Sequence, residues 1–202
     1  MAEEKDDADV DDVVRMTHRF YKEAYAHTSA WRDEAKINFD MVAGDQWSEE
    51  EKNQLSDQQK VPIVFNLTAR TINAIVGTQI SNRQETRYIP REPSDTPVNE
   101  LLTGAADWVR DQCDAEDEET DAFEDMAICG IGCTELRLDY DNDPEGELLI
   151  ERVDAAKEMY WDPGAVKRNL TDRKWDMRIK SMSIAEFEKE WPNADTVLAS
   201  DP

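Results

Sequence analysis

The strongest constraint on this chain is a change of hydrophobic period partway along it. Val10, Val13, Val14, Thr17, Tyr21, Ala24, Trp31, Ala35, Phe39 and Val42 recur at intervals of three, four and seven. That is the repeat of an amphipathic helix. From Thr134 the period becomes two: Leu136, Leu138 and Tyr140 alternate with Glu135, Arg137 and Asp139, the repeat of a half-buried strand. Helical pattern comes first and strand pattern second, without βαβ alternation. The prediction is an α+β fold, with long N-terminal helices followed by a small antiparallel β-sheet and a short helix.

Within the helical half, one long helix ends where Gly44 can cap it, and Thr28–Ser29 is its weakest turn. Residues 1–9 are acidic and read as a disordered tail. The polar stretch Asp45–Lys60 reads as a loop anchored by Trp47. After the short apolar run Pro62–Phe65, Asn66 can cap a second helix carrying Leu67, Ala74 and Ile75. Thr86–Arg91 is rich in β-formers and reads as a short strand, and Pro90, Pro93 and Pro97 mark turns. Pro97 opens a third helix whose apolar face is Val98, Leu101, Leu102, Ala105 and Val109. Beyond the acidic stretch Asp111–Asp125, Phe123, Met126 and Ala127 suggest a further helix closing at Gly130.

In the strand half, Thr134–Tyr140 and Glu147–Val153 flank turn chemistry at Asp141–Gly146, which predicts a hairpin. Glu158–Trp161 adds a third strand, stopped by Asp162-Pro163-Gly164, and Trp175–Met182 alternates again. Ser183-Ile184-Ala185-Glu186 is a capping box opening a helix through Trp191. Trp47 and Trp161, each the main large apolar group of a polar segment, are expected to be buried. The organisation is therefore a tail (1–9), a helical region (10–130) and an antiparallel β region with a terminal helix (131–202), together one structural unit.

The net charge of −24 over 202 residues argues against tight, sequence-reading DNA binding, since duplex DNA is itself a dense polyanion. It is compatible with an acidic wall past which DNA slides. The run Asp111–Asp125 holds nine acids and no bases and reads as a solvated face rather than a dock for a basic partner. Bases collect elsewhere, at Arg83, Arg87 and Arg91 and again at Lys167, Arg168, Arg173, Lys174, Arg178 and Lys180. Opposite charges at separate places suit a head-to-tail ring contact, and equally a monomer with a polarised surface. Three cysteines make no even disulfide set, which suits a reducing compartment. No apolar run reaches the length of a membrane span, and the acidic N-terminus is no signal peptide.

Catalytic motifs fail in turn. There is no GxxxxGK[ST], and Gly130-Ile131-Gly132 lacks the Lys a phosphate loop needs. Asp139-Tyr140-Asp141-Asn142-Asp143 starts like a calcium loop, but Pro144 and Ile150 stand where Gly and Glu are required. Cys129 and Cys133 lack two further zinc ligands and read as small buried hydrophobes. His18 and His27 read as surface or interface residues, and Asp139, Glu147 and Glu151 have no Lys partner for a nuclease centre. The chain therefore reads as no enzyme, with no catalytic, cofactor-binding or metal-ligating residue and no cofactor.

A more specific signal lies in the order of short motifs. The long helix runs into Gly44-Asp45-Gln46-Trp47. Pro62-Ile63-Val64-Phe65-Asn66 follows, then a helix with Asn73 and Gly77, then Ser81-Asn82-Arg83. Later come the hairpin, Met159-Tyr160-Trp161-Asp162-Pro163, a basic segment, Asp172, and the capped helix ending at Pro192. This order resembles the N-terminal part of portal proteins, the head-to-tail connectors of short-tailed bacteriophages. The motif positions are Gly44, Gln46, Trp47, Phe65, Asn66, Asn82, Arg83, Asp162 and Pro163. The resemblance implies a structural virion protein in the outer wing of a dodecameric ring at one capsid vertex, serving viral DNA packaging and ejection. Implied partners are other copies of itself, the terminase packaging motor, capsid and tail factors, and duplex DNA that passes without tight binding. The resemblance implies no membrane partner and assembly in the host cytoplasm. The chain is then expected to be a fragment or a split gene product. The alternative is a non-enzymatic acidic adaptor or scaffold module that binds a basic protein partner.

Overall fold

The structure, a computed structural model, describes residues 3–83, 87–92, 95–140 and 144–192, with side chains from residue 12 onward. The described elements run α1 (Glu3–Ala43), α2 (Glu49–Asp57), α3 (Leu67–Ser81), α4 (Thr96–Gln112), α5 (Ala115–Cys129), β1 (Cys133–Asp139), β2 (Glu147–Val153), β3 (Met159–Trp161), β4 (Asp176–Arg178) and α6 (Ile184–Glu190). Strands β1 and β2 form one antiparallel ribbon, in register from Cys133 opposite Val153 to Asp139 opposite Glu147. Strands β3 and β4 form a second, with Tyr160 opposite Met177. The α+β reading holds, with the sheet divided into two ribbons.

Helix α1 is the spine. It runs unbroken through Thr28–Ser29, because the weak turn is where it is most engaged. Thr28 is buried; its hydroxyl donates to the Ala24 carbonyl at 2.8 Å and accepts from Arg32 Nε at 3.0 Å. The Arg32 guanidinium goes on to donate to the carbonyls of Ala156 and Met159 and lies 4.0 Å above the centre of the Tyr160 ring. Burial lowers the Arg32 pKa from its ordinary value, against the pull of neighbouring groups. Next to it, Trp31 donates its indole N–H to the Cys129 carbonyl at 2.8 Å and meets Trp161 edge-on at 5.6 Å. Tyr21 meets Tyr160 edge-on at 5.0 Å, and Phe20 stacks on Trp175 at 4.8 Å. One face of α1 thus fixes the end of α5 and the β3–β4 ribbon.

The acidic stretch is solvated in part, with Asp111, Asp114, Glu116, Asp117 and Asp121 exposed, and it does not precede its helix. It makes up most of α5, where acids in the first turn suit the helix dipole. Its side chains receive arginines from the surrounding elements. Asp125 is buried and accepts both Nε and Nη2 of Arg152 on β2, at 2.6 and 2.7 Å. Glu118 accepts the Arg152 backbone N–H at 2.6 Å. Glu119 takes the Arg110 fork from α4 at 2.6 and 2.7 Å. Glu116 and Asp117 hold Arg83, beyond α3, at 2.5 and 3.0 Å.

Other segments differ from expectation for local reasons. Part of Asp45–Lys60 is helix α2, started by the Ser48 and Glu51 capping box, a signal that outweighs polar composition. Residues 87–90 are irregular rather than a strand; residues 84–86 lie outside the described ones. Pro90 has no N–H for a ladder. The alternation at Trp175–Met182 is strand only over Asp176–Arg178, the part facing β3. Residues 3–9, read as tail, are the first turns of α1. Of the hairpin turn, residues 141–143 lie outside the described ones.

Two outcomes follow from these contacts. Replacing Arg32 by Met keeps the bulk of the stem but leaves two part-buried carbonyls without a donor, and should cost about 3 kcal/mol in urea unfolding. Arg32→Lys should recover only part of that, since an ammonium cannot span two carbonyls as the fork does. The second outcome concerns acid. Hydrogen bonds from Arg110 and Arg137 hold the Glu119 and Glu151 carboxyls below the usual carboxylate range. The folded state therefore binds fewer protons than the unfolded one just below the ordinary value of about 4.3. Their contribution is complete above that pH and disappears as pH falls through the depressed folded values. The gap in melting temperature between wild type and Arg110→Gln should narrow on titration from about pH 6 to about pH 3, as Glu119 protonates.

Candidate functional site: three joints and two uncovered faces

The motif positions converge locally, on three separate joints. Gly44 ends α1 at φ +95°, a conformation that favours glycine. A Cβ there would also lie 3.4 Å from Asn66 Nδ2. That amide donates to the Val42 carbonyl at 2.7 Å, one of the groups the helix end leaves unpaired. Its oxygen accepts the Ala69 N–H at 2.9 Å and so caps α3. Gln46 Nε2 donates to the Met41 carbonyl at 3.2 Å and reaches Asn66 Oδ1 at 3.5 Å. Gly44, Gln46 and Asn66 thus form one hinge block where α1 stops and α3 starts. Trp47 beside it is only half-buried, unlike the buried Trp161, so the expectation of two equivalent anchors fails at Trp47. Phe65 is 83% exposed.

Asn82 and Arg83 form the second joint. Asn82 caps the end of α3, donating through Nδ2 to the Thr78 carbonyl at 2.7 Å. Arg83 then binds Glu116, Asp117 and the Thr120 hydroxyl on α5. Asp162 and Pro163 form the third. Asp162 Oδ1 accepts the Gly164 N–H at 2.8 Å, and Oδ2 accepts the Lys174 N–H at 3.3 Å, tying the turn after β3 to the approach of β4.

Groups with potential chemistry are engaged structurally. Arg137 holds Asp139 on its own strand and Glu151 across the β1–β2 ribbon, at 2.9 Å each. Cys129 is buried and Cys133 half-buried, and burial raises the pKa of both thiols, which disfavours the reactive thiolate. Gly130 closes α5 at φ +88°, and a Cβ on Gly132 would fall 1.9 Å from the Ala122 carbonyl oxygen, so the first glycine serves the helix end and the second close packing. His18 and His27 are exposed on α1. Among the described residues there is no group of three or more His, Cys, Asp or Glu that could hold a metal ion, and no helix is long and apolar enough to cross a membrane. A cleft of about 860 Å³ opens between the two ribbons over Val153, Met159 and Trp161. Of the arginines on its rim, Arg173 and Arg178 are paired, with Asp176 and with Glu135 and Glu158.

Sequence reasoning missed two uncovered apolar faces. On α4, the inward side carries Asn99 and Thr103 beside Ala106 and Val109, while Val98, Leu101, Leu102 and Trp108 point to solvent. The extended segment before α3 exposes Val61, Ile63 and Phe65 in alternation, and Leu67 after them. The available signal was the bonding capacity of Asn99 and Thr103: Asn99 Nδ2 reaches the Asp95 carbonyl, and the Thr103 hydroxyl accepts the Tyr88 N–H.

These features define a structural module, built from joints around a helical spine, that presents apolar surface outward. A model of the phage P22-like portal protein family matches residues 18–202, and the chain belongs to that family. It is 27% identical over 149 residues to a portal protein of Acyrthosiphon pisum secondary endosymbiont phage 1. That match covers 67% of this chain and 20% of the relative, so the chain spans about a fifth of the relative's length.

The Asn66 joint makes a clean substitution possible. Asn66→Asp preserves the oxygen that caps α3, and Asp caps as well as Asn. It turns the donor facing the Val42 carbonyl into an acceptor. Chemical denaturation should show a loss of about 2 kcal/mol, where a capping role alone predicts almost none.

Proposed function

We propose that this chain is the N-terminal part of a portal, forming part of the outer wing of a ring at one capsid vertex through which viral DNA is packaged and ejected. The observation that carries this reading is the family match over residues 18–202, and the outward apolar faces of α4 and of residues 61–67 suit a protein that assembles. The ring's partners are further copies of the chain, the terminase motor during filling, and capsid and tail factors. It acts in the virion after assembly in the host cytoplasm, and it acts without catalysis. The motif positions Gly44, Gln46, Trp47, Phe65, Asn66, Asn82, Arg83, Asp162 and Pro163 serve as joints and contact points of the wing.

DNA passes without being held. The charge of −24 repels it, and several bases that could grip phosphate are engaged by acids: Arg83 by Glu116 and Asp117, Arg173 by Asp176, Arg178 by Glu135 and Glu158. The adaptor reading loses part of its docking surface to such pairings, because Glu116, Asp117, Glu119 and Asp125 of the acidic run already bind arginines of this chain.

Native mass measurement on the full-length protein should show a closed ring of many copies; a monomer at all concentrations would refute the portal reading. A fluorescence titration with labelled duplex should show no binding at physiological salt. Micromolar binding weakened by Lys167→Glu and Lys174→Glu would make the basic segment a DNA contact. Those two residues suit the test because both are exposed and neither is in an ion pair among the described residues.

A further inference from the structure

The two uncovered faces differ in the sign of their surroundings. The stripe on α4 recurs at helical spacing, with Val98 at 58%, Leu101 at 73% and Trp108 at 60% exposure. It is bordered by the exposed acids Glu100, Asp107 and Asp111, and the one base of this helix, Arg110, is held by Glu119. The second face begins in an extended segment that pairs with no strand among the described residues and exposes Ile63 at 65% and Phe65 at 83%. Residues 60–81 contain Lys60 and Arg70 and no acid. Helices α3 and α4 both pack on α5, yet each apolar face stays open, so neither covers the other within one protomer.

Resting on the ring reading above, we propose that the α4 stripe of one copy docks on residues 60–70 of the next. Apolar area supplies the attraction and charge supplies the choice of mate. Like-with-like pairing would set the acids of α4 against each other, or Lys60 and Arg70 against each other. The unlike pairing joins apolar to apolar at its centre and acid to base at its rim, the ordinary anatomy of an interface. Two different patches meeting in this way make a heterologous contact, the kind that closes into a ring.

The test is a photo-crosslinking residue, benzoylphenylalanine, in place of Leu101 in the full-length protein, assembled from a mixture of light and heavy isotope-labelled copies. The expected product joins two chains, with the captured peptide within residues 60–70. Capture of α4 from another copy, of any other segment, or of a segment of the same chain overturns the proposal while the ring stands. Absence of any assembly removes the ring reading, and this contact with it. As a second arm, Leu101→Glu should leave thermal unfolding of the protomer unchanged, because Leu101 touches solvent. It should reduce the assembled fraction about tenfold or more at fixed concentration, as expected for a charge placed at an interface centre. Unchanged assembly overturns the proposal.

Discussion

The contact between Arg32 and the chain linking β2 to β3 is what the rest of the arrangement depends on. A helix of 41 residues has no intrinsic preference for where a pair of ribbons should sit against it. Arg32 supplies one, because a guanidinium fork aimed at the carbonyls of Ala156 and Met159 fixes both distance and angle. The linking turn is prepared for this: Asp154 accepts the N–H groups of Ala156 and Lys157 at 3.1 Å each, which orients the neighbouring carbonyls. With that turn held, β3 presents Tyr160 and Trp161 to Tyr21 and Trp31, and the aromatic contacts follow. Ala24 and Ala35, both buried, keep this side of the helix slim enough for the approach.

A second layer of the same device organises α5. The seven acids that α5 carries between Glu116 and Asp125 would repel one another on a bare helix. Three arginines, from beyond α3, from α4 and from β2, relieve that repulsion and in doing so set where those elements lie. The Asp125–Arg152 pair is the most buried of them. Ion pairs of this kind give limited net stability once desolvation is counted. Their geometric demand is nevertheless strict, since each fork accepts a carboxylate in few orientations. The acidic run thus specifies relative position more than it adds stability.

This explains which parts of the molecule were legible in the sequence. Period decides element type, so the long helix, the β1–β2 hairpin and the capped α6 could be read from spacing and capping residues alone. The Gly44 and Asn66 positions could be marked as caps, because capping is local chemistry. That the two caps meet, with Asn66 donating to Val42, is a property of the fold and leaves no trace in spacing. The arginine pairing of some α5 acids was hidden for a similar reason: the partners stand as far off as Arg83 and Arg152, and a charge run looks the same whether water or a guanidinium neutralises it. The orientation of α4 was hidden by the assumption that an apolar stripe faces its own core. Asn99 and Thr103 face inward instead, where Thr103 serves the Tyr88 N–H.

That inversion bears on what kind of object the protomer is. Folding normally places apolar area inside because nothing else will cover it. Here the inward side of α4 sets Asn99 and Thr103 beside Ala106 and Val109, and most of the apolar stripe is left outward, as is the segment around Phe65. A protein whose elements are positioned by arginine forks and aromatic contacts along one spine can leave such area outward and keep its arrangement, because position is set by directional bonds. The apolar faces are then available to association. A strongly acidic exterior complements this: it discourages indiscriminate aggregation through charge repulsion, so that contact forms only where apolar area coincides with opposite sign.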